Sequence, residues 1–264
     1  MSGLTVWWDA VADGAVNMAA DELLAAEAVR RGEPLVRFYG WTSPTVSLGA
    51  FQRIDEARAI PAIAAATIVR RPSGGGALVH GSDLTYALAA PKSHPWGRAA
   101  QPLYDAVHTA LAEVLGDRGI RARLHAAAAG GGPDERGEAF FCFSRRAGGD
   151  LVAALPGRPP AATDPKIMGS AQRRLAGVVI QHGSLLLTAN PAVGEPARHP
   201  GLAEIGAAIT PPEVRPLARD WMERLAGGMG IRVEWEAAEF RAGRETDVSS
   251  ATERFLDARW TARR

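Results

Sequence analysis

Lys166-Ile-Met-Gly-Ser-Ala-Gln-Arg-Arg174, followed three residues later by Val178-Val-Ile-Gln-His-Gly-Ser-Leu-Leu-Leu187, is the stretch that decides the fold. The two segments, on either side of a Leu-Ala-Gly break, read as two strands about a turn. Upstream, residues 101–117 carry Leu103, Val107, Leu111 and Leu115 at spacing four, the mark of an amphipathic helix. Residues 17–31 read as a helix with Asn17 as N-cap and Gly32 as its stop. Leu35–Tyr39 and Thr45–Leu48 look like a hairpin-like pair about Gly40–Pro44, with a second helix expected over 54–65. Further strands are expected at 67–70, 77–80, 84–88 and 120–125, an extended apolar segment at 139–143, and a hairpin excursion over 147–165. Downstream come helices near 212–227 and 251–262 around a strand at 232–235. Strand runs separated by helices, without regular βαβ alternation, favour an α+β architecture over a Rossmann sheet. With no repeat and no dividing linker, residues 1–264 are expected to form a single domain, with a flexible loop at 126–137 and another at 154–165.

Composition limits what such a domain does. Thirty Lys and Arg balance 29 Asp and Glu, so a non-specific nucleic-acid binder, which needs a basic surface, is not expected. One cysteine excludes an internal disulfide framework and an all-cysteine metal site. No apolar stretch reaches membrane-spanning length and no signal peptide is visible at Met1–Asp9, so a cytoplasmic location is expected. Lysine occurs only at Lys92 and Lys166. Lys92 falls in an exposed turn, whereas Lys166 opens the decisive strand, where a compact ammonium supplies what guanidinium does not.

Three segments can carry chemistry. In Arg70-Arg-Pro-Ser-Gly-Gly-Gly-Ala-Leu-Val-His80, Gly74, Gly75 and Gly76 let the backbone approach a ligand, while Arg70 and Arg71 offer donors to a carboxylate or phosphate. The segment is neither a P-loop nor a dinucleotide fingerprint, and a tight turn with surface arginines is the plainer reading. In Phe140-Phe-Cys-Phe143, Cys142 is either a small buried hydrophobe or a nucleophile whose thiolate a nearby cation such as Lys166 or His80 stabilises. In the third segment, Gly169, Ser170 and Ala171 leave room for a ligand beside the backbone, and His182 reads as a hydrogen-bonded turn histidine.

Taken together, Phe38–Gln52, Arg70–Gly76 with His80, and Lys166–Gln172 with Gln181–Ser184 resemble the lipoate–protein ligase and octanoyltransferase family, which shares its fold with biotin protein ligase. The likeness runs in order from about residue 5 to residue 260 and includes Asn17-Met-Ala-Ala-Asp-Glu22. It implies a catalytic domain with a mixed or antiparallel central sheet flanked by helices. Cys142-Phe143, upstream of the Lys-x-x-Gly-Ser-Ala-Gln motif, is most similar to the branch that moves octanoyl from acyl carrier protein through a cysteine.

On that resemblance Cys142 and Lys166 are catalytic. Arg70, Arg71, Ser73, Gly74–Gly76, His80, Gly169, Ser170 and Ala171 bind the acyl substrate in a dry pocket, and His80 braces the glycine turn. The implied partners are acyl carrier protein as donor and a lipoyl domain or the glycine-cleavage H protein as acceptor, with no nucleic acid, membrane, metal or cofactor. The alternative is a ligase that uses ATP and Mg to form a lipoyl-adenylate, with Arg70 and Arg71 on the ligand and Cys142 in the core. The absence of a further C-terminal domain is expected to favour the transferase, although split ligases stop here too. Ser144-Arg-Arg-Ala-Gly-Gly-Asp150 departs from the transferase branch, and Arg145 and Arg146 are expected to face a carrier protein, a phosphate or solvent.

Overall fold

Asp83–Pro91 and Val178–Leu186 pair antiparallel at the centre of the molecule and are buried along almost their whole length. The computed structural model describes residues 3–126 and 140–263. The strands are β1 (Leu4–Trp8), β2 (Leu35–Tyr39), β3 (Thr45–Leu48), β4 (Thr67–Arg70), β5 (Leu78–His80), β6 (Asp83–Pro91), β7 (Ala122–Leu124), β8 (Leu151–Ala153), β9 (Lys166–Leu175), β10 (Val178–Leu186) and β11 (Val233–Trp235). The helices are α1 (Gly14–Arg31), α2 (Ile54–Arg58), α3 (Pro95–Arg98), α4 (Ala100–Asp117), α5 (Pro211–Gly227), α6 (Glu245–Leu256) and α7 (Ala258–Ala262). Eight strands form one sheet in the order β11-β1-β2-β6-β10-β9-β8-β7, and β4-β3-β5 form a second. The β11–β1 and β1–β2 pairs are parallel and the rest of the large sheet is antiparallel, so it is mixed and helix-flanked, as expected of an α+β domain.

The two-residue period of a strand sends alternate side chains to opposite faces, and β6 serves two cores this way. Leu84, Tyr86, Leu88 and Ala90 join α4 and α5 through Leu111, Trp221 and Leu225. Ala87 and Ala89 face Ala19, Ala20, Ala25 and Ala28 of α1, where small side chains on both partners let helix and strand approach closely. On β2 the same alternation puts Arg37 in the α1-side core, fully buried, with Nε donating to Asp9 (2.9 Å) and Nη1 to Asp21 (2.7 Å). Such a charge is tolerable in a core only when paired. Among the described residues no helix is long and apolar enough to cross a membrane.

Several local expectations change. Helix α1 begins three residues early, and Asn17 is buried inside it, donating to the carbonyls of Ala12 (3.2 Å) and Gly40 (3.0 Å) instead of capping. Gly32 does close the helix, at φ 72°. The two strands β2 and β3 are not a hairpin, because they belong to different sheets. Residues 54–65 break into α2 and a short turn at Pro61–Ile63, since Pro61 cannot continue a helix. The C-terminal helix splits at Asp257 into α6 and α7 and starts earlier than expected. Phe141 makes a single bridge to Ala77 and Cys142–Ser144 then turn in a 3-10 coil, so this segment is not an extended strand. The 147–165 region contributes β8 to the large sheet. Most of the 126–137 loop lies outside the described residues.

Candidate active site

The glycine run follows β4, and its geometry explains its composition. Gly75 lies at φ +90°, where side chains are strained. A β-carbon at Gly49 would lie 2.0 Å from the Gly75 carbonyl oxygen, so the β3 end and the glycine turn touch backbone to backbone. A β-carbon at Gly76 would lie 2.8 Å from the Cys142 nitrogen. Through that gap the Cys142 segment docks, the Ala77 amide donating to Phe140 O (2.9 Å) and the Cys142 amide to Ala77 O (2.8 Å). Gln52 ties the β3 end to the Cys142 segment, accepting from the Gly49 amide (2.9 Å) and donating to Phe140 O (2.8 Å).

Opposite stands Lys166, the first residue of β9. Its Nζ lies 3.4 Å from Cys142 Sγ, 3.3 Å from Cys142 O and 2.7 Å from Asp150 Oδ2. Gly169 makes this possible, since a β-carbon there would fall 2.6 Å from Lys166 Cε and 2.7 Å from Nζ. Burial works against the ammonium, but Cys142 and Asp150 outweigh it and raise its pKa above the ordinary value.

Asp150 is itself held by the Tyr104 hydroxyl (2.8 Å) and the Ala147 amide (2.6 Å). Behind it runs a directed chain of hydrogen bonds. His108, whose pKa burial lowers to about 4, donates from Nδ1 to Gly149 O (2.8 Å), so its Nε2 accepts from Ser170 Oγ (2.7 Å). Tyr86 then donates to Ser170 (2.8 Å) and accepts from Gln181 (2.6 Å), which accepts from Gln172 (2.7 Å). Asp150, Tyr104 and His108 were not singled out from sequence; Asp150 lies in a Gly- and Ala-rich stretch with no periodicity, and His108 and Tyr104 sit on the buried face of α4.

The dyad opens into a groove of about 420 Å³ whose walls include Gly75, Gly76, Tyr104, Ser170 and Gln172. Its walls mix polar side chains, among them Gln101, Tyr104 and Gln172, with glycine and alanine. The apolar side chains packed with Cys142 are Leu78, Phe143 and Leu186, which form a cluster of their own. Arg145 and Arg146 line the groove, and Arg146 also holds the carbonyls of Asp164 and Thr163 (3.1 and 3.2 Å).

Other expected ligand residues stand elsewhere. Arg70 and Arg71 are buried and do not face the groove. Arg70 donates to Thr261 O and Gly49 O, and Arg71 to Ser47 O, Gly74 O and Gly76 O. These arginines shape the turn because its carbonyls point inward and need donors. His80 stacks on Trp41, donates to Asp83 (2.9 Å) and meets Ser47 Oγ (2.8 Å), so it reaches the glycine turn only through Ser47 and Arg71. Ser73 bonds His182, which lies within β10 and not in a turn, and His182 in turn meets Asp21 (3.3 Å). Ser73 and Gly74 line a neighbouring groove, and Ala171 lies against Gly75.

Residues 13–199 match the model of the lipoyl protein ligase A/B catalytic domain. The chain belongs to that family. Within it, the chain is 36% identical over 185 residues to a Moorella thermoacetica protein named octanoyltransferase LipM, covering 68% of this chain and 63% of that protein. A Staphylococcus aureus protein of the same name is 34% identical over 197 residues, covering 69% and 67%. The match thus spans somewhat under two thirds of the Moorella relative's length. Solved structures with this family fold include the T. acidophilum protein Ta0514 with bound lipoic acid (TM-score 0.70, 16% identity, 99% of this chain and 100% of that one). Lipoate-protein ligase A bound with ATP superposes comparably (TM-score 0.67, 16% identity, 99% of each).

Proposed function

We propose that this family member is an acyltransferase of protein lipoylation that moves octanoyl, or lipoyl, through a thioester on Cys142. The observation that carries the reading is the 3.4 Å approach of Lys166 Nζ to Cys142 Sγ at the mouth of a groove. The names of the LipM relatives support it. The donor is octanoyl on acyl carrier protein, the acceptor a lysine of a lipoyl domain or the glycine-cleavage H protein, the location the cytoplasm, and residues 1–264 act as one catalytic domain.

The Cys142 thiolate attacks the thioester carbonyl, and Lys166 stabilises first the thiolate and then the developing oxyanion. The carbon–sulfur bond to the carrier breaks, and the carrier sulfur leaves as a thiolate that takes a proton from water. A neutral acceptor amine then attacks the acyl-cysteine. Amide forms, Cys142 leaves again as thiolate, and one proton passes to solvent. Thioester exchange is nearly isoergic and amide formation is downhill, so this route consumes no ATP. Gln101, Tyr104 and Gln172 in the groove wall offer hydrogen-bonding groups to the amide-bearing arm of the donor, while Leu78, Phe143 and Leu186 offer the hydrocarbon an apolar surface beside the sulfur.

Intact mass after incubation with octanoyl-carrier protein tests the reading. One octanoyl adduct is expected, absent in Cys142→Ala. Full ATP-dependent lipoylation by Cys142→Ala, with no adduct on the native chain, would replace it with a ligase.

A further inference from the structure

Beside the catalytic groove lies a second one of about 450 Å³, sharing Gln172 with it and reached across the glycine turn through Gly74. Phe51 stands at its rim with 82% of its surface exposed, the largest value among the exposed large hydrophobics. It sits close to Gly74, where an added β-carbon would touch its ring at 3.8 Å. Arg173, Arg174 and Arg263 also line this groove. Arg173 donates to Pro72 O (3.1 Å) and Arg263 stacks on Trp260. Among the described residues none of the three pairs with a carboxylate. Arg173 and Arg263 lie close enough that the like charge, after burial, lowers the Arg263 pKa. An exposed aromatic ring among guanidinium groups without carboxylate partners is complementary to an acidic surface with an apolar recess.

We propose that this groove docks the acceptor, as a folded acidic domain presenting its target lysine, with Phe51 as the anchor and Arg173, Arg174 and Arg263 facing its carboxylates. Reach separates acceptor from donor. A lysine side chain is short, so the surface that bears it must sit against the wall of the groove holding the acyl-cysteine, as this one does. A carrier protein delivers its thioester on a long flexible arm and needs no seat so near. The proposal rests on the acyltransferase reading and deepens it.

Its test separates the half-reactions. In Arg173→Glu/Arg174→Glu and in Phe51→Ala, adduct formation on Cys142 from octanoyl-carrier protein stays within twofold of the native rate. The KM for an isolated lipoyl domain rises at least tenfold in the charge-reversal variant and severalfold in Phe51→Ala, and the native KM rises with salt. Slower adduct formation with unchanged transfer from pre-acylated enzyme would assign the groove to the donor and overturn the proposal. Unchanged kinetics in both steps would overturn it too. Titration calorimetry of the lipoyl domain into native and charge-reversed chains needs no turnover. Weakened binding there upholds the docking surface even if the native chain forms no adduct, whereas equal binding refutes it.

Discussion

Removing the charge of Lys166 is expected to slow the chemistry of Cys142 at neutral pH by tenfold or more. Lys166→Gln alone would leave Asp150, 2% exposed, as an unpaired buried carboxylate, at a cost of about 3–5 kcal/mol in stability. The cleaner perturbation is Lys166→Gln with Asp150→Asn, which removes both charges and keeps hydrogen-bonding groups. At the 3.4 Å separation of Nζ and Sγ, a unit-charge pair is worth about 1 kcal/mol in water and about 5 kcal/mol at an effective dielectric of 20. Cys142 is half-buried, so the value lies between these limits, and the Asp150 charge beyond the amine offsets part of it. Each 1.4 kcal/mol is about a factor of ten in rate when the thiolate is the reactive species. The assay is iodoacetamide labelling followed by intact mass at pH 7. The chain's single cysteine makes the label unambiguous, and circular dichroism establishes that the double variant is folded. A folded double variant labelled at the native rate would refute the electrostatic role of Lys166.

Gly169→Ala places a methyl within 2.7 Å of the Lys166 amine. A flexible side-chain end moves easily, so little change in Tm is expected beside a roughly tenfold loss of labelling rate; a native rate would show that the amine tolerates displacement. Arg37→Met removes the shared guanidinium from buried Asp9 and Asp21, which keep Arg241 (3.6 Å) and His182 (3.3 Å) respectively. It should cost about 3–5 kcal/mol in urea unfolding, a figure that a loss under 1 kcal/mol would contradict. His108 has its pKa lowered by burial from 6.5 to about 4, so between those values the unfolded chain binds the extra proton and the folded chain does not. Its contribution is therefore complete above pH 6.5 and lost as pH falls toward 4, by about 3 kcal/mol. In His108→Gln the fall in unfolding free energy from pH 7 to pH 4.5 should be smaller than in the native chain, and equal slopes would exclude His108 as its source.

What the sequence reveals about this molecule follows from the range over which each signal acts. The apolar residues at spacing four in α4 and the aliphatic ends of β10, Val178–Ile180 and Leu185–Leu186, are local patterns, and both elements lie where these patterns put them. The reading of Thr45–Leu48 failed because adjacency cannot distinguish a hairpin from a strand that leaves for another sheet. Asn17 looks like a cap from its neighbours, and only the contact with Gly40, 23 residues on, reveals its role as a clamp. At the site, Cys142 and Lys166 were legible as residue types that stand out in a chain with one cysteine and two lysines. Their meeting depends on Gly76 and Gly169, whose importance is the absence of an atom. Asp150 is not legible at all, because its role is set by Tyr104 and Lys166 arriving from two other segments, α4 and β9.

The sulfur and the amine of the dyad reach each other from different foundations. Cys142 hangs from the small sheet through the Phe141–Ala77 bridge next to β5, whereas Lys166 is anchored in the large sheet. The pair proposed as catalytic thus spans the two sheets, and its spacing registers how one is seated on the other. On the proposed mechanism, a change that slides one sheet against the other by an ångström is expected to abolish transfer while leaving both sheets intact, so substitutions far from the groove, where the sheets meet, are expected to lower activity without unfolding the chain.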